Sequence, residues 1–431
     1  MKQNVAERGR FVAQVGISGI VVFSALTLAA DHGFYQLSLK SEFLWLCLAS
    51  MAIIHLSVRP KWTEAGLLAA ATGLLCAVEF GLMGMRAKAE CAFALFGLAS
   101  LAIMGLRMVW SGTAAARLWF WAFVPGLLFV GFGWLTPPLL EYGQIAHPKV
   151  LDLYLYSFDC SLRFQPSFLV GLLFVKLPWL RVVCYFFYLG LAVPIAAVYA
   201  GHLVRNQKRA LPIMLALLYT GPIGGMFYSL FPALGPAHLF HQNFPLHPLS
   251  IEQARHLLLE ALPLPGYRNA IPSLHMGWVL LAWWYCRGLS KWTKAVVLAF
   301  VFFTVLATLG SGEHYLIDLV VAFPFCVMIQ GLFAFSLKWN NRCRLVAIFG
   351  GLATLLGWIW ALRFAAHLFW ASPSIPWGLV IATIAVSVWW QKSLQRALVE
   401  VSGKYSRADA MDLTGSSDCA FSSSELIHER R

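Results

Sequence analysis

The sequence predicts an all-α fold, a polytopic membrane helix bundle of about 12 transmembrane helices. Of its 431 residues, 60% are hydrophobic and only 12% are charged, whereas soluble domains are nearer half apolar and a quarter charged. About a dozen windows are apolar over lengths that approach the roughly 20 residues a membrane-spanning helix needs. Basic residues fall in short clusters between these windows, a pattern typical of membrane topology.

The predicted spans follow one another with mostly short connections. In the first half of the chain they are Phe11–Ala30, Phe43–Val58, Gly66–Met85, Cys91–Trp110, Leu118–Thr136 and Pro178–Leu203. In the second half they are Ala210–Phe231, Ser273–Cys286, Thr293–Leu309, Tyr315–Phe335, Leu345–Leu368 and Ile375–Trp390. No small-residue cleavage site follows the first run, so we interpret it as a retained span rather than a signal peptide.

The charge pattern indicates an orientation. The net charge of +13 comes from basic clusters between spans, which argues against nucleic acid as a partner. If the spans alternate, these clusters favour cytoplasmic termini in a plasma (inner) membrane. Two long connections, 137–177 and 232–272, then lie on the non-cytoplasmic side. Ordered loops of this length are usually functional.

A first candidate constellation is "GEHYLIDL". His314 and Asp318 are four residues apart at the start of a helical run, so they share one helix face. A carboxylate there can accept from one imidazole nitrogen and fix the tautomer. The other nitrogen is then free to act as a nucleophile.

A second candidate constellation is "IPSLHMGW". Pro272 and Ser273 predict a helix start, with Ser273 as the N-cap rather than a nucleophile. His275 then lies in the first turn, where free backbone N–H groups and the helix dipole favour an anion. Two histidines and one carboxylate would meet at one membrane face, where one histidine could attack phosphorus and the other protonate the leaving oxygen.

These motifs carry a family resemblance. "PSLH", followed by "HYLID" with the second histidine 39 positions after the first, resembles the type 2 phosphatidic acid phosphatase superfamily. More narrowly, the pair resembles the branch that includes inositol phosphorylceramide synthases of the aureobasidin-sensitive type, as does "YSLFPALGP" at residues 228–236. The resemblance covers about Leu118 to Leu337 and implies a six-helix phosphatidic-acid-phosphatase-like core.

The resemblance implies catalytic roles. His314 is similar to the nucleophile that forms a phosphohistidine, Asp318 to its orienting carboxylate, and His275 to the general acid. No cofactor and no metal is implied. A degenerate, non-catalytic copy of the site is the alternative interpretation.

The sequence departs from the family where phosphate is held. The Ser-Arg pair of superfamily phosphatases is replaced by Ala307 and Thr308, and no K-x6-R-P motif precedes Pro232. Phosphate still needs a cationic donor, preferably a guanidinium. The candidate substrate-binding residues near the two motifs are Arg268, Asn269, Ser273 and Glu313.

The sequence therefore predicts four regions: N-terminal membrane helices at 1–117, the catalytic core at 118–337, two C-terminal membrane helices at 338–391 and a polar cytoplasmic tail at 392–431. The implied function is a lipid phosphotransferase that moves a phospho-head group from a phospholipid or sphingolipid to a small alcohol. One alternative is a phosphatase that uses water on a lipid phosphate or polyprenyl diphosphate. Another is a non-catalytic transporter or scaffold, which the intramembrane carboxylate of Glu79 motivates.

One stretch outside these motifs is also predicted to face the membrane. Asp152 and Asp159 stand among aromatic residues and leucines in "LDLYLYSFDCSLRF". This mixture is typical of an amphipathic segment on the membrane surface.

Overall fold

The computed structural model describes residues 13–22, 24, 42–58, 62–83 and 89–415. Within this part of the chain the regular elements are helices, with one isolated β-bridge between Val150 and Leu262. Six of the described helices are long and apolar enough to cross a membrane, and the number rises to eight if each of two bent pairs forms one span. The predicted all-α membrane bundle is therefore confirmed, whereas the count of 12 is not.

Five described helices form the N-terminal part of the structure. They are α1 (Ala13–Val22), α2 (Glu42–Ser57), α3 (Trp62–Met83), α4 (Ala89–Trp110) and α5 (Thr113–Ala146). The second half of the predicted first span lies mostly outside the described residues.

The middle of the chain contains two helix pairs and a long connection. The first pair is α6 (Asp152–Ser161) and α7 (Pro166–Lys176), bent by 88°, and the second is α8 (Pro178–Leu189) and α9 (Ala192–Arg205), bent by 47°. They are followed by α10 (Gln207–Leu230) and by the short helices α11 (Pro236–Phe240) and α12 (Ile251–Arg255).

The remaining helices carry the motifs and the C-terminal spans. They are α13 (Leu274–Tyr285), α14 (Lys291–Gly310), α15 (Leu316–Leu332), α16 (Arg342–Leu345), α17 (Gly351–Phe364), α18 (Ala366–Phe369) and α19 (Ser374–Gly415), with a π-helical turn at Val346–Gly350. Helix α19 extends through the first part of the predicted polar tail, and residues 416–431 lie outside the described part.

The predicted long connection at 137–177 is mostly helical. Helix α5 runs through Pro137 and Pro138 to Ala146, and its 34 residues span about 51 Å at 1.5 Å per residue. Membrane helices tolerate internal proline because neighbouring groups satisfy the freed carbonyls. The prediction that Asp152 and Asp159 lie in an amphipathic segment facing the membrane is wrong, because eight of the ten residues of α6 are buried in the protein.

One apolar core joins the four predicted regions. A single cluster of buried side chains extends from Cys47 in α2 to Leu394 in α19. Helix α2 packs against both α4 and α9. At its contact with α4, a methyl group on Gly97 would overlap the carbonyl oxygen of Leu48. A small residue is therefore required for the two backbones to approach this closely.

Candidate active site

The start of α15 holds the histidine–carboxylate pair. His314 Nδ1 lies 3.4 Å from Asp318 Oδ2, and the two side chains are 1% and 0% exposed. Asp318 Oδ2 also accepts a hydrogen bond of 2.8 Å from the backbone N–H of Tyr315. His314 Nε2 has no hydrogen-bond partner among the described residues. His314 Nδ1 also has no hydrogen-bond partner among the described residues, so it faces Asp318 at ion-pair distance only, and Nε2 is left available for chemistry.

The start of α13 places His275 close to His314. Ser273 is the N-cap, and its Oγ accepts from the backbone N–H of Met276 at 3.4 Å. The backbone N–H of Ser273 donates to the carbonyl of Asp318 at 3.1 Å, which joins the two motifs directly. The rings of His275 and His314 have centroids 6.0 Å apart. The two histidines and the carboxylate therefore lie close together, at the starts of α13 and α15.

Two buried carboxylates of α6 hold the loops around this pair. Asp159 accepts from the backbone N–H groups of Leu316 at 2.8 Å and Ile317 at 3.3 Å, the first two residues of α15. An anion at a helix N-terminus satisfies free donors and interacts favourably with the helix dipole. In α7, Ser167 Oγ donates to the carbonyl of His314 at 2.9 Å.

Asp152 makes the equivalent contact with the "FPALGP" segment. Its Oδ1 accepts from the backbone N–H of Gly235 at 2.8 Å, and its Oδ2 accepts from that of Leu234 at 3.0 Å. The Tyr315 hydroxyl also donates to Oδ1 at 3.1 Å. Gly235 has φ +149°, and a Cβ there would lie 2.5 Å from the carbonyl oxygen of Glu313. Glycine at this position therefore lets the segment pass beside the histidine loop.

Sequence reasoning missed the positioning roles of these two aspartates. The aromatic residues around Asp152 and Asp159 suggested a membrane surface, yet both carboxylates are buried. The signal that could have identified them is the cost of burying a carboxylate without donors, which predicts partners for any acid in an apolar helix.

A cavity of about 410 Å³ opens beside His275. We call it the His275 cavity. Its walls are largely apolar, and its polar members include Arg268, Asn269 and Tyr228. Apolar residues of α5, α10 and α13 complete it, among them Phe132, Leu139, Leu140, Met226, Leu274 and Trp278. Its chemistry suits a hydrocarbon chain that ends at a polar group.

A second cavity, of about 320 Å³, lies beyond Tyr188 and is called the Glu313 cavity. Tyr188 stacks on His275 with ring centroids 4.0 Å apart, and it also lines this cavity. The other polar lining residues are Arg181, Tyr185, Ser311 and Glu313. The two cavities thus meet at the His275–Tyr188 stack.

One of the two positions of the absent Ser-Arg pair borders this second cavity. Ala307 lines it, whereas Thr308 is buried and its Oγ1 donates to the carbonyl of Thr304 at 2.9 Å. The exposed guanidinium of Arg181, from α8, shares the cavity with Ala307. Sequence reasoning did not place Arg181 near the motifs, because α8 is distant in sequence from both of them.

Arg268 is held by backbone carbonyls. Its Nε donates to His147 at 2.7 Å, its Nη2 to Pro148 at 3.0 Å and Leu264 at 2.9 Å, and its Nη1 to Gly266. Burial lowers the pKa of Arg268, and the charge of Asp152 opposes that shift. At most one of its five N–H donors remains for phosphate. Arg268 therefore ties the loop at 264–268 to the end of α5.

The remaining candidates are placed as follows. Asn269 and Arg268 line the His275 cavity, Glu313 lines the other cavity, and Ser273 caps α13. Glu79 is 3% exposed in α3, a helix that packs on α4 rather than on the motif helices. The described residues contain no group of three or more His, Cys, Asp or Glu side chains that could hold a metal.

Comparison with known proteins finds one family model that matches part of the chain. The family model described as "PAP2 superfamily" matches residues 153–332, which include α13, α15 and Asp159 but not Asp152. The match supports this superfamily, whose members are generally lipid phosphatases or phosphotransferases. No curated protein and no solved structure matches the chain.

Proposed function

We propose that this protein is a membrane lipid phosphotransferase that moves a phospho-head group from a phospholipid or sphingolipid to an alcohol-bearing acceptor, in the manner of an inositolphosphotransferase. The observation that carries the proposal is the convergence of two histidines, with ring centroids 6.0 Å apart, beside the His314–Asp318 pair. A carrier or scaffold has no need of this arrangement.

The first half of the reaction uses both histidines. His314 Nε2 attacks the phosphorus, and the phosphorus–oxygen bond to the lipid alcohol breaks. Protonated His275 donates its proton to the departing oxygen, while Asp318 stabilises the charge on the substituted His314 ring. The products are a phosphohistidine and the free lipid alcohol.

The second half reverses the roles. An acceptor hydroxyl gives its proton to neutral His275 and attacks the phosphorus, which releases His314 and restores the starting enzyme. If water takes the acceptor's place, the same steps make the protein a phosphatase. Two cavities that lie on either side of the His275–Tyr188 stack support the transfer reaction, because each can take one of two substrates.

Arg181 is the proposed phosphate-binding cation. It shares the Glu313 cavity with Ala307, and it is among the described residues without a salt bridge. Arg268, by contrast, has at most one donor left. The Tyr188 hydroxyl offers a further donor to a polar head group.

The test is turnover of labelled phospholipids by purified wild-type protein, with and without inositol or other alcohols. Wild type is expected to form an acid-labile phosphoenzyme and to transfer label to an alcohol, and His314→Ala is expected to do neither. His256→Ala is the matched control, since His256 is exposed and pairs with Glu252. If a broad lipid panel gives neither turnover nor a His314-dependent phosphoenzyme, the proposal is wrong. Release of phosphate alone identifies a phosphatase.

A further inference from the structure

A third cavity, with a volume of about 780 Å³, lies away from the two histidines. We call it the arginine cavity. It opens between the ends of α2 and α9 and the starts of α5 and α10. Its lining residues are Ser57, Val58, Arg117, Leu118, Trp121, Leu203, Val204, Arg205, Asn206, Gln207 and Leu211.

The arginine cavity is at the opposite end of the bundle from the candidate active site. Helix α13 begins beside His275 and ends at Tyr285, 12 residues or about 18 Å along its axis. The carbonyl of Tyr285 lies 2.8 Å from Nε2 of His202, in the last turn of α9. Arg205 follows His202 in that turn, so the cavity cannot share a ligand head group with His275.

The polar chemistry of the cavity favours a phosphate. It contains two guanidinium groups, Arg117 and Arg205, and its lining includes no Asp or Glu. Neither arginine belongs to a salt bridge among the described residues. Guanidinium groups bind phosphate oxygens through paired N–H donors. The amide of Gln207 adds a neutral donor at the same rim, whereas the Ser57 hydroxyl donates to the carbonyl of Ile54.

The apolar wall distinguishes a lipid from a soluble anion. Leu118, Trp121, Leu203 and Leu211 line the cavity on the side of the helix bodies. Trp121 is held in place, because the buried Tyr199 hydroxyl donates to its carbonyl. A soluble anion would leave this wall without a partner, whereas an acyl chain would cover it. Basic pockets between membrane helices are typical sites for anionic lipid head groups.

We propose that the arginine cavity binds an anionic phospholipid. Its phosphate bridges Arg117 and Arg205, and one acyl chain lies along Leu118 and Trp121. Two cations without a carboxylate partner in the described part of the chain favour a net negative lipid over a zwitterionic one, whose ammonium group cancels the phosphate charge. Arg117 precedes the residues 153–332 that match the family model, and Arg205 lies within them. The lipid would therefore join the N-terminal helices to the core, independently of any reaction at His275.

The test uses the full-length protein in nanodiscs that contain equal amounts of phosphatidylglycerol and phosphatidylcholine. Native mass spectrometry then counts the lipids that remain bound to the protein after its release from the nanodisc. Wild type is expected to retain phosphatidylglycerol selectively. Arg117→Gln and Arg205→Gln are each expected to weaken that retention by about fivefold, because one basic residue near an anionic lipid is worth about 1 kcal/mol.

Two controls make the result decisive. Arg396→Gln removes an exposed arginine of α19 and should retain phosphatidylglycerol as wild type does. Arg117→Lys with Arg205→Lys keeps both charges and should retain most of it. Equal retention of both lipids by wild type overturns the proposal, as does unchanged retention in the Arg117→Gln/Arg205→Gln variant. Displacement of the lipid by millimolar inorganic phosphate would assign the cavity to a soluble anion and also overturn it.

Discussion

At the scale of residues, the two histidines have different surroundings and therefore different expected roles. His314 is 1% exposed and faces Asp318, while its Nε2 has no partner in the described part of the protein. His275 is half-buried, stacks on Tyr188 and lines the His275 cavity. A nucleophile benefits from a fixed tautomer, and a general acid must reach the leaving oxygen.

The division of roles predicts a rescue. His275→Ala should lower kcat for a natural lipid by about 100- to 10,000-fold, the usual contribution of a general acid. A substrate with a nitrophenol leaving group needs no proton, so it should recover most of that loss with His275→Ala and none with His314→Ala. Steady-state rates on both substrates check this. Equal losses on both substrates would remove His275 from the acid role.

Substitutions of the two arginines near the site should affect different properties: substrate binding for Arg181 and stability of the fold for Arg268. Arg181→Gln should raise KM by about 10- to 100-fold, the value of one charge-assisted hydrogen bond, with an unchanged melting temperature. Arg268→Gln should instead reduce stability by about 2 kcal/mol or more, because several hydrogen bonds to carbonyls are lost. Kinetics and thermal unfolding of each variant in detergent measure the two effects. A KM effect in Arg268→Gln without loss of stability would return the phosphate role to Arg268.

At the scale of elements, α6 is the support on which the site is built. Its two aspartates bind backbone N–H groups in the "FPALGP" segment and at the start of α15. Because a buried carboxylate needs donors and a helix start needs acceptors, each satisfies the other. The position of His314 thus depends on a helix more than 150 residues earlier in the chain.

Loss of this support should misplace the nucleophile. Asp159→Ala leaves two backbone donors at the start of α15 without their acceptor, so stability should fall by about 1–3 kcal/mol. A shift of about 1 Å in His314 should also reduce kcat by about 100-fold. Asp159→Asn keeps one acceptor oxygen and should show smaller effects. Unfolding and rate measurements on both variants test whether Asp159→Ala has the larger effect. An Asp159→Ala variant with wild-type stability and kcat would contradict the prediction.

The contact between α2 and α4 makes a similar prediction in the N-terminal helices. Gly97→Ala should destabilise the protein by about 1–3 kcal/mol, because its methyl group overlaps the Leu48 carbonyl and the helices must separate. Gly73→Ala in α3 is the matched control, since a methyl group there meets nothing within 4 Å. Thermal unfolding in detergent compares the two. Equal melting temperatures would show that α4 is not held this closely.

At the scale of the whole molecule, the two ends of the bundle have different chemistry. The candidate site and the 232–272 connection lie at one end, and the arginine cavity lies at the other. Basic clusters predict that the second end faces the cytoplasm. The site would then act on lipids of the opposite leaflet.

This orientation predicts a labelling pattern. Leu258→Cys, in the 232–272 connection, should react with a membrane-impermeant maleimide added outside intact cells, because Leu258 is 76% exposed. Trp292→Cys, at the start of α14, should react only after the cells are opened, although Trp292 is 83% exposed. The parent protein gives the background from its native cysteines. Reversed accessibility would place the candidate site on the cytoplasmic face.

The sequence by itself determined the fold class, most helices that carry the site, and the residues of the two motifs. Apolar runs of membrane-spanning length allow few structures other than helices, because lipid cannot satisfy backbone polar groups. The histidines could be named because His314 and Asp318 are neighbours on one helix face, which is a local property.

Only the tertiary structure decided which residues surround the two histidines. It brought Asp152 and Asp159 beneath the site, assigned Arg268 to backbone carbonyls, and placed Arg181 beside Ala307. These contacts join residues that are far apart in the chain, and helical periodicity carries no information about such pairs. A charged residue within an apolar run predicts that a partner is present, but only the packing of the helices determines which residue that partner is.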